Sequence, residues 1–158
     1  MTHQQRHAPI AALCITLLAA CLLAAAPTDR ARAYAVARIA RTLSATDTAH
    51  LHYLSTSGSL LNDEGTATGA LPGSMRVHLN LGATFTGSFT IYTSSGSIKG
   101  HGSAIPHGSG TYESFAGTLT VTGGTGRYAR ARGHGHLYGT FNRGNYALVI
   151  KTTGSLTY

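Results

Sequence analysis

From about residue 49 onward, apolar and polar residues alternate in eight runs of seven to thirteen residues, and each run closes on a short break rich in glycine, serine or proline. A period of two belongs to a strand with one wet and one dry face, whereas a helix repeats every 3.6 residues. The runs lie near 49–56, 60–70, 75–81, 84–92, 96–105, 111–122, 129–141 and 145–157. Their breaks, among them Ser57-Gly58, Pro72-Gly73, Ser94-Ser95 and Arg143-Gly144, suit tight turns. None is long enough for a crossover helix, so neighbouring strands are expected to run antiparallel. Eight such strands close naturally into a small barrel, which also removes exposed edges. The expected fold is all-β: a single antiparallel eight-stranded β-barrel after an N-terminal signal segment.

Sorting alternate residues onto faces gives one apolar set: Leu51 and Tyr53; Met75, Val77, Leu79 and Leu81; Phe85, Phe89 and Ile91; Phe115, Leu119 and Val121; Tyr146, Leu148 and Ile150. The complementary set is Thr, Ser, His, Lys and Arg, with Ala147 and Val149 as exceptions. The first set is the expected core. In the seventh run the inward positions are Ala129, Ala131, Gly133 and Gly135 before Leu137, and in the fifth they include Gly100 and Gly102. Glycine inside a strand marks sharp bending or the close approach of another backbone. These positions read as barrel corners, or as room left in the interior for a narrow apolar channel. The candidate ligand-binding residues are Gly133, Gly135, Leu137, Phe89 and Phe115.

The N-terminal part has a different character. Arg6 and His7 precede an apolar stretch from Ile10 to Ala26, and Pro27 ends it. Small residues in Ala31-Arg32-Ala33 or Ala33-Tyr34-Ala35 then supply a cleavage pattern. Residues 1–35 are expected to be a cleaved Sec-type signal peptide that directs the protein to the envelope or the outside of the cell. The alternatives are a retained anchor and a lipoprotein, since Leu18-Ala19-Ala20-Cys21 resembles a lipobox with Cys21 as the lipidated residue. Residues 36–47 read as a linker or short helix, and 48–158 as the barrel domain. Cys14 and Cys21 both precede the barrel, which must be held by burial and backbone pairing without a disulfide.

From residue 36 onward there are nine Lys and Arg against four Asp and Glu, a net charge of +5, with seven histidines besides. A cationic surface favours an anionic polymer or a membrane surface. Arg127, Arg130, Arg132, His134 and His136 form one basic stripe, the candidate anion-binding site. Sequence-specific nucleic-acid reading is not expected, because the chain offers no recognition helix and no RNA-binding aromatic signature.

The stretch from Phe115 to Gly133, FAGTLTVTGGTGRYARARG, resembles the dirigent and allene oxide cyclase superfamily. There a strand enters a Gly-Gly-Thr-Gly turn, here Gly123 to Gly126, followed by an aromatic (Tyr128), a small residue (Ala131) and a glycine (Gly133). The glycines permit positive φ, Thr125 can hydrogen-bond the turn, and the aromatic can plug the barrel end. The resemblance implies an eight-stranded antiparallel barrel, often a homotrimer, that binds apolar or phenolic molecules and steers cyclisation or radical coupling. No family catalytic motif matches any position of this chain.

Chemistry-bearing groups are few. Tyr53 and Tyr146 are the candidate catalytic residues of a cyclase or isomerase, with an arginine reaching inward and Asp63 as the inward acid. His50-x-His52 and His134-x-His136 each place two imidazoles about 7 Å apart on a strand face. Two such pairs meeting, with Glu113 as a carboxylate partner, are the candidate metal ligands; neither a metal nor any other cofactor is expected. The Gly123 to Gly126 turn has no lysine in P-loop register and no following helix, so it is no nucleotide loop. The functional reading is a non-catalytic binding module for a small apolar or aromatic ligand or an anionic surface. The alternatives are a cyclase or isomerase, and a structural protein of the envelope.

Overall fold

The structure is a computed structural model, and it describes residues 40–158. The signal segment, its cleavage sites and Cys21, and the first part of the expected linker lie outside the described residues.

Eight strands form one closed barrel in which each strand pairs antiparallel with the next and β8 returns to β1. They are β1 (Thr42–Ser57), β2 (Leu60–Gly69), β3 (Gly73–Asn80), β4 (Phe85–Thr93), β5 (Gly96–His107), β6 (Tyr112–Gly124), β7 (Arg132–Asn142) and β8 (Leu148–Thr157). The expected all-β barrel is thus the observed fold. Three boundaries differ by three residues or more. β1 starts at Thr42, so residues 42–47 are strand rather than linker and pair with 152–157 of β8. Their inward positions are Leu43, Ala45 and Asp47, a small residue and a carboxylate among them, which hides the alternation. β7 starts at Arg132, because Gly126–Tyr128 form a 3-10 turn and Ala129 is still helical in backbone. β8 starts at Leu148, after a loop in which Tyr146 has a φ of 59°.

The stagger of the barrel decides whether it is filled. Following paired inward residues from Tyr53, the circuit passes Asp63, Val77, Phe89, Gly100, Val121, Gly133 and Leu156 and returns to β1 at Leu43, ten residues from its start. At a given strand number a larger stagger means more tilt and a wider barrel, and an eight-stranded barrel with a stagger of eight is filled by side chains. A stagger of ten with small inward residues leaves space.

Two apolar clusters line the inside. One contains Leu51, Leu61, Val77, Leu79, Phe85, Phe115, Phe141 and Leu148. The other, at the end of the barrel carrying the 69–73 and 124–132 loops, contains Leu71, Ile98, Val121, Tyr128, Ala131 and Leu156. Tyr128 is buried there and stacks at 5.0 Å on Tyr158, so the aromatic after the glycine turn does close this end. The Thr125 side chain does not bond within its own turn, although the Thr125 carbonyl accepts the Tyr128 N–H. Its Oγ1 accepts the Ser97 backbone N–H at 3.0 Å and thereby ties the turn to the start of β5.

Candidate functional site

The inward sides of the strands enclose an apolar cavity of about 120 Å³. Ala45, Ala49, Ala67 and Ala104 supply its small walls, and Val77, Leu79, Phe85, Phe89, Phe115 and Leu137 the bulky ones. Three of the five expected ligand-binding residues, Leu137, Phe89 and Phe115, line it. Gly133 and Gly135 do not. A Cβ on Gly135 would lie 2.4 Å from the Thr153 carbonyl oxygen, and one on Gly133 the same distance from that of Ser155. These two glycines exist because β8 crosses β7 too closely for a side chain, the barrel-corner reading of the pair. Room in the lumen comes instead from the four alanines, residues that periodicity alone marks as ordinary core.

Tyr53 and Tyr146 are not core residues. Both stand at the opposite end from Tyr128, each 42% exposed, with their rings 5.5 Å apart. Strand parity does turn Tyr53 inward, but β1 has no β8 partner beyond Leu51 and bulges at Leu54 while still paired with β2. Tyr146 precedes β8 and rests on Phe141, centroids 6.2 Å apart. Leu54, Leu60, Ile105 and Tyr112 are exposed at the same end. Among the described residues, six of the eight large exposed apolar side chains therefore lie around one mouth, above a wall that is otherwise hydroxyl-rich.

The carboxylates are distributed unusually. Asp47 is buried at the Tyr128 end and accepts the Leu71 backbone N–H at 2.7 Å. Burial raises its pKa, and the backbone donors of Leu71 and Ala70 oppose the rise. Glu113 is buried near the tyrosine mouth and accepts from Arg143 Nη2 at 2.8 Å. That hydrogen bond, with the charge of Glu113, holds the guanidinium more firmly protonated. Glu64 lies on the outside, 3.6 Å from Arg76 and 4.0 Å from His52. Asp63 is 1% exposed, and neither of its oxygens has a hydrogen-bond partner. Desolvation pushes its pKa up to about 6 despite the charge of His52. Every acid among the described residues is thus buried or beside a cation, while Arg41, Lys99, Arg127, Arg130, Arg132 and Lys151 form no ion pair.

The basic stripe is partly assembled. Arg132, His134 and His136 are exposed on the outer face of β7, opposite Thr120 and Thr118 of β6 and Ser155 and Thr153 of β8. Arg130 is exposed in the preceding turn rather than on the strand. Arg127 folds over the Tyr158 ring at 5.1 Å, and Arg132 donates to the Thr122 and Ala131 carbonyls.

The two histidine pairs do not meet. His50 lies opposite Val149 of β8 and His136 opposite Thr153 on the other side of that strand, four residues or about 13 Å further along. His52 and His134 are further apart still, and Glu113 is committed to Arg143 inside the barrel. Among the described residues no three ligating side chains cluster. Strand geometry does not bring the candidate ligands His50, His52, His134 and His136 together, since β8 separates the two pairs.

The chain matches no family model, no curated protein and no solved structure.

Proposed function

We propose that this protein is a binding module that holds one small apolar molecule in the barrel lumen and does no chemistry on it. The observation that carries this reading is the cavity of about 120 Å³ walled by Ala45, Ala49, Ala67 and Ala104. A dry cavity of roughly 150 Å³ accepts benzene or xenon, so the expected ligand is a single ring or a short branched chain. The aromatic ring of residues around the Tyr53 and Tyr146 mouth supports entry at that end, as Tyr128 fills the other. A cyclase of the dirigent or allene oxide cyclase type is disfavoured as the alternative, because Tyr53 and Tyr146 face the rim rather than the cavity. The N-terminal segment, read as a signal, would place this carrier outside the cytoplasm.

Filling the lumen tests the reading. Ala49→Leu puts three more carbons into the cavity, which Ala49 lines. Toluene binding, followed by the shifts of alanine methyl resonances, is expected to weaken at least tenfold in this variant and to survive in Tyr146→Phe. Equal affinity in Ala49→Leu would place the ligand elsewhere.

The arrangement of charge favours a second, outward reading: with its acids buried or paired, the barrel wall is suited to an anionic polymer or membrane surface. Retention on a phosphate resin should then fall steeply as salt rises. The double variant Arg130→Ala, His136→Ala should elute at lower salt than the parent protein. Retention indifferent to salt would remove this role.

A further inference from the structure

Asp63 has no role in a lumen that accepts only hydrocarbon. It lies on the inward face of β2, sealed from solvent, with both oxygens empty. A buried carboxylate is ordinarily neutralised by a cation or by backbone donors, as Glu113 is by Arg143 and Asp47 by Leu71. Asp63 has neither. Its paired residues are Tyr53 on β1, at the mouth, and Val77 on β3, which lines the cavity. The next inward position on β2 is Gly65, so no β2 side chain separates the carboxylate from Ala67, another lining residue. With a stagger of ten over eight strands, a level around the barrel moves by just over one residue per strand. The residues level with Asp63 are then Leu79, Phe85, Ala104, Phe115 and Leu148, all lining residues. The carboxylate thus sits in the β2 wall beside the mouth-side end of the cavity, its free acceptors among apolar side chains.

We propose that Asp63 is the polar anchor of the lumen site, and that the ligand is a small apolar body carrying one hydrogen-bond donor, an amine or a hydroxyl, directed at the Tyr53 mouth. This rests on the lumen reading above and specifies its ligand class. Asp63 itself does not line the cavity but its paired neighbour Val77 does, so the donor must project sideways from the apolar body into the β2 wall. An apolar group of ring size fills the alanine-walled space while the donor satisfies an oxygen that has no other partner. Selectivity follows from the cost of leaving that acceptor unmade: a ligand of equal shape without a donor buries the carboxylate and gives it nothing. An anionic ligand of the same shape is excluded by like charge.

The test compares four probes of one shape: toluene, benzyl alcohol, benzylamine and benzoate, titrated into the purified protein at pH 7.5 by calorimetry and methyl resonance shifts. The wild-type protein is expected to bind benzylamine or benzyl alcohol at least tenfold more tightly than toluene, and benzoate least. Preference for the amine alone would identify a charged donor, and preference for both a neutral one. In Asp63→Leu, which offers no acceptor, the preference should vanish while toluene binds as before; Asp63→Asn should lose the amine preference and keep part of the alcohol's. Equal binding of toluene and the donor probes to wild type, or a donor preference that survives in Asp63→Leu, overturns the anchor and leaves the lumen site standing. Failure of all four probes to bind overturns both.

Discussion

Asp63→Asn should be more stable than the wild-type protein at pH 7.5 and equal to it at pH 3. Asp63 is 1% exposed and unpartnered, and burial moves its pKa from 3.8 up to about 6. A value raised on folding means that the folded state prefers the protonated acid. The contribution of the group is therefore most favourable below about pH 4 and is lost as the pH rises through 6. A shift of about two units at 1.36 kcal/mol each corresponds to about 3 kcal/mol lost by neutral pH. Asparagine cannot ionise and escapes this loss. Urea unfolding of both proteins from pH 3 to 8 should give a stability difference near zero in acid that grows to about 3 kcal/mol above pH 7. A difference independent of pH would mean that the carboxylate has found a partner. Asp47 is raised by burial in the same direction but is common to both proteins, so it cancels in the comparison.

The largest loss is expected at Phe141. Its side chain is fully buried on β7, 5.8 Å from the Phe85 ring and 6.2 Å from that of Tyr146, with the Arg143 guanidinium 6.0 Å from its centroid. Truncation removes a ring that no neighbour can replace, because both adjoining aromatics are held by strand or loop backbone. Phe141→Ala should cost about 3 to 5 kcal/mol and lower the melting temperature by about 10 °C or more. It also removes the ring on which Tyr146, a residue with positive φ, rests. Amide exchange in residues 143–147 should quicken beyond the change in global stability. A loss under 1 kcal/mol, or a 143–147 loop no more open than before, would show that Phe141 does not support the mouth.

The barrel was legible in the sequence because strand parity is strict over most of its length. Met75, Val77 and Leu79 face in, and Arg76, His78 and Asn80 face out, with nothing to contradict them. Parity failed where side chains are small or the backbone leaves the sheet. Ala45 and Asp47 concealed the first third of β1. The bulge at Leu54 moved Tyr53 from core to rim, and the loop before β8 did the same to Tyr146. The glycines of β7 were recognisable as special, but sequence could not say whether such a residue faces empty space or a neighbouring carbonyl. That distinction depends on the stagger of the barrel, which is a property of all eight pairings at once. A channel could be suspected and Leu137, Phe89 and Phe115 named for it, but its small walls were hidden for the same reason, since alanines read as plain core. Asp63 could be placed inward by parity, but only the surrounding strands show that nothing meets it. The histidine pairs were a spacing signal without a third ligand, and β8 lies between them.

Whether the barrel is hollow and apolar is decided by a crystal of the protein pressurised with xenon. Xenon has no polar contacts to make and enters cavities of this size when their walls are hydrocarbon. One ordered xenon peak among Ala49, Ala67, Ala104 and Phe85 is the expected result. An interior closed by side chains with no peak at that position would contradict the lumen site and the ligand class argued from it.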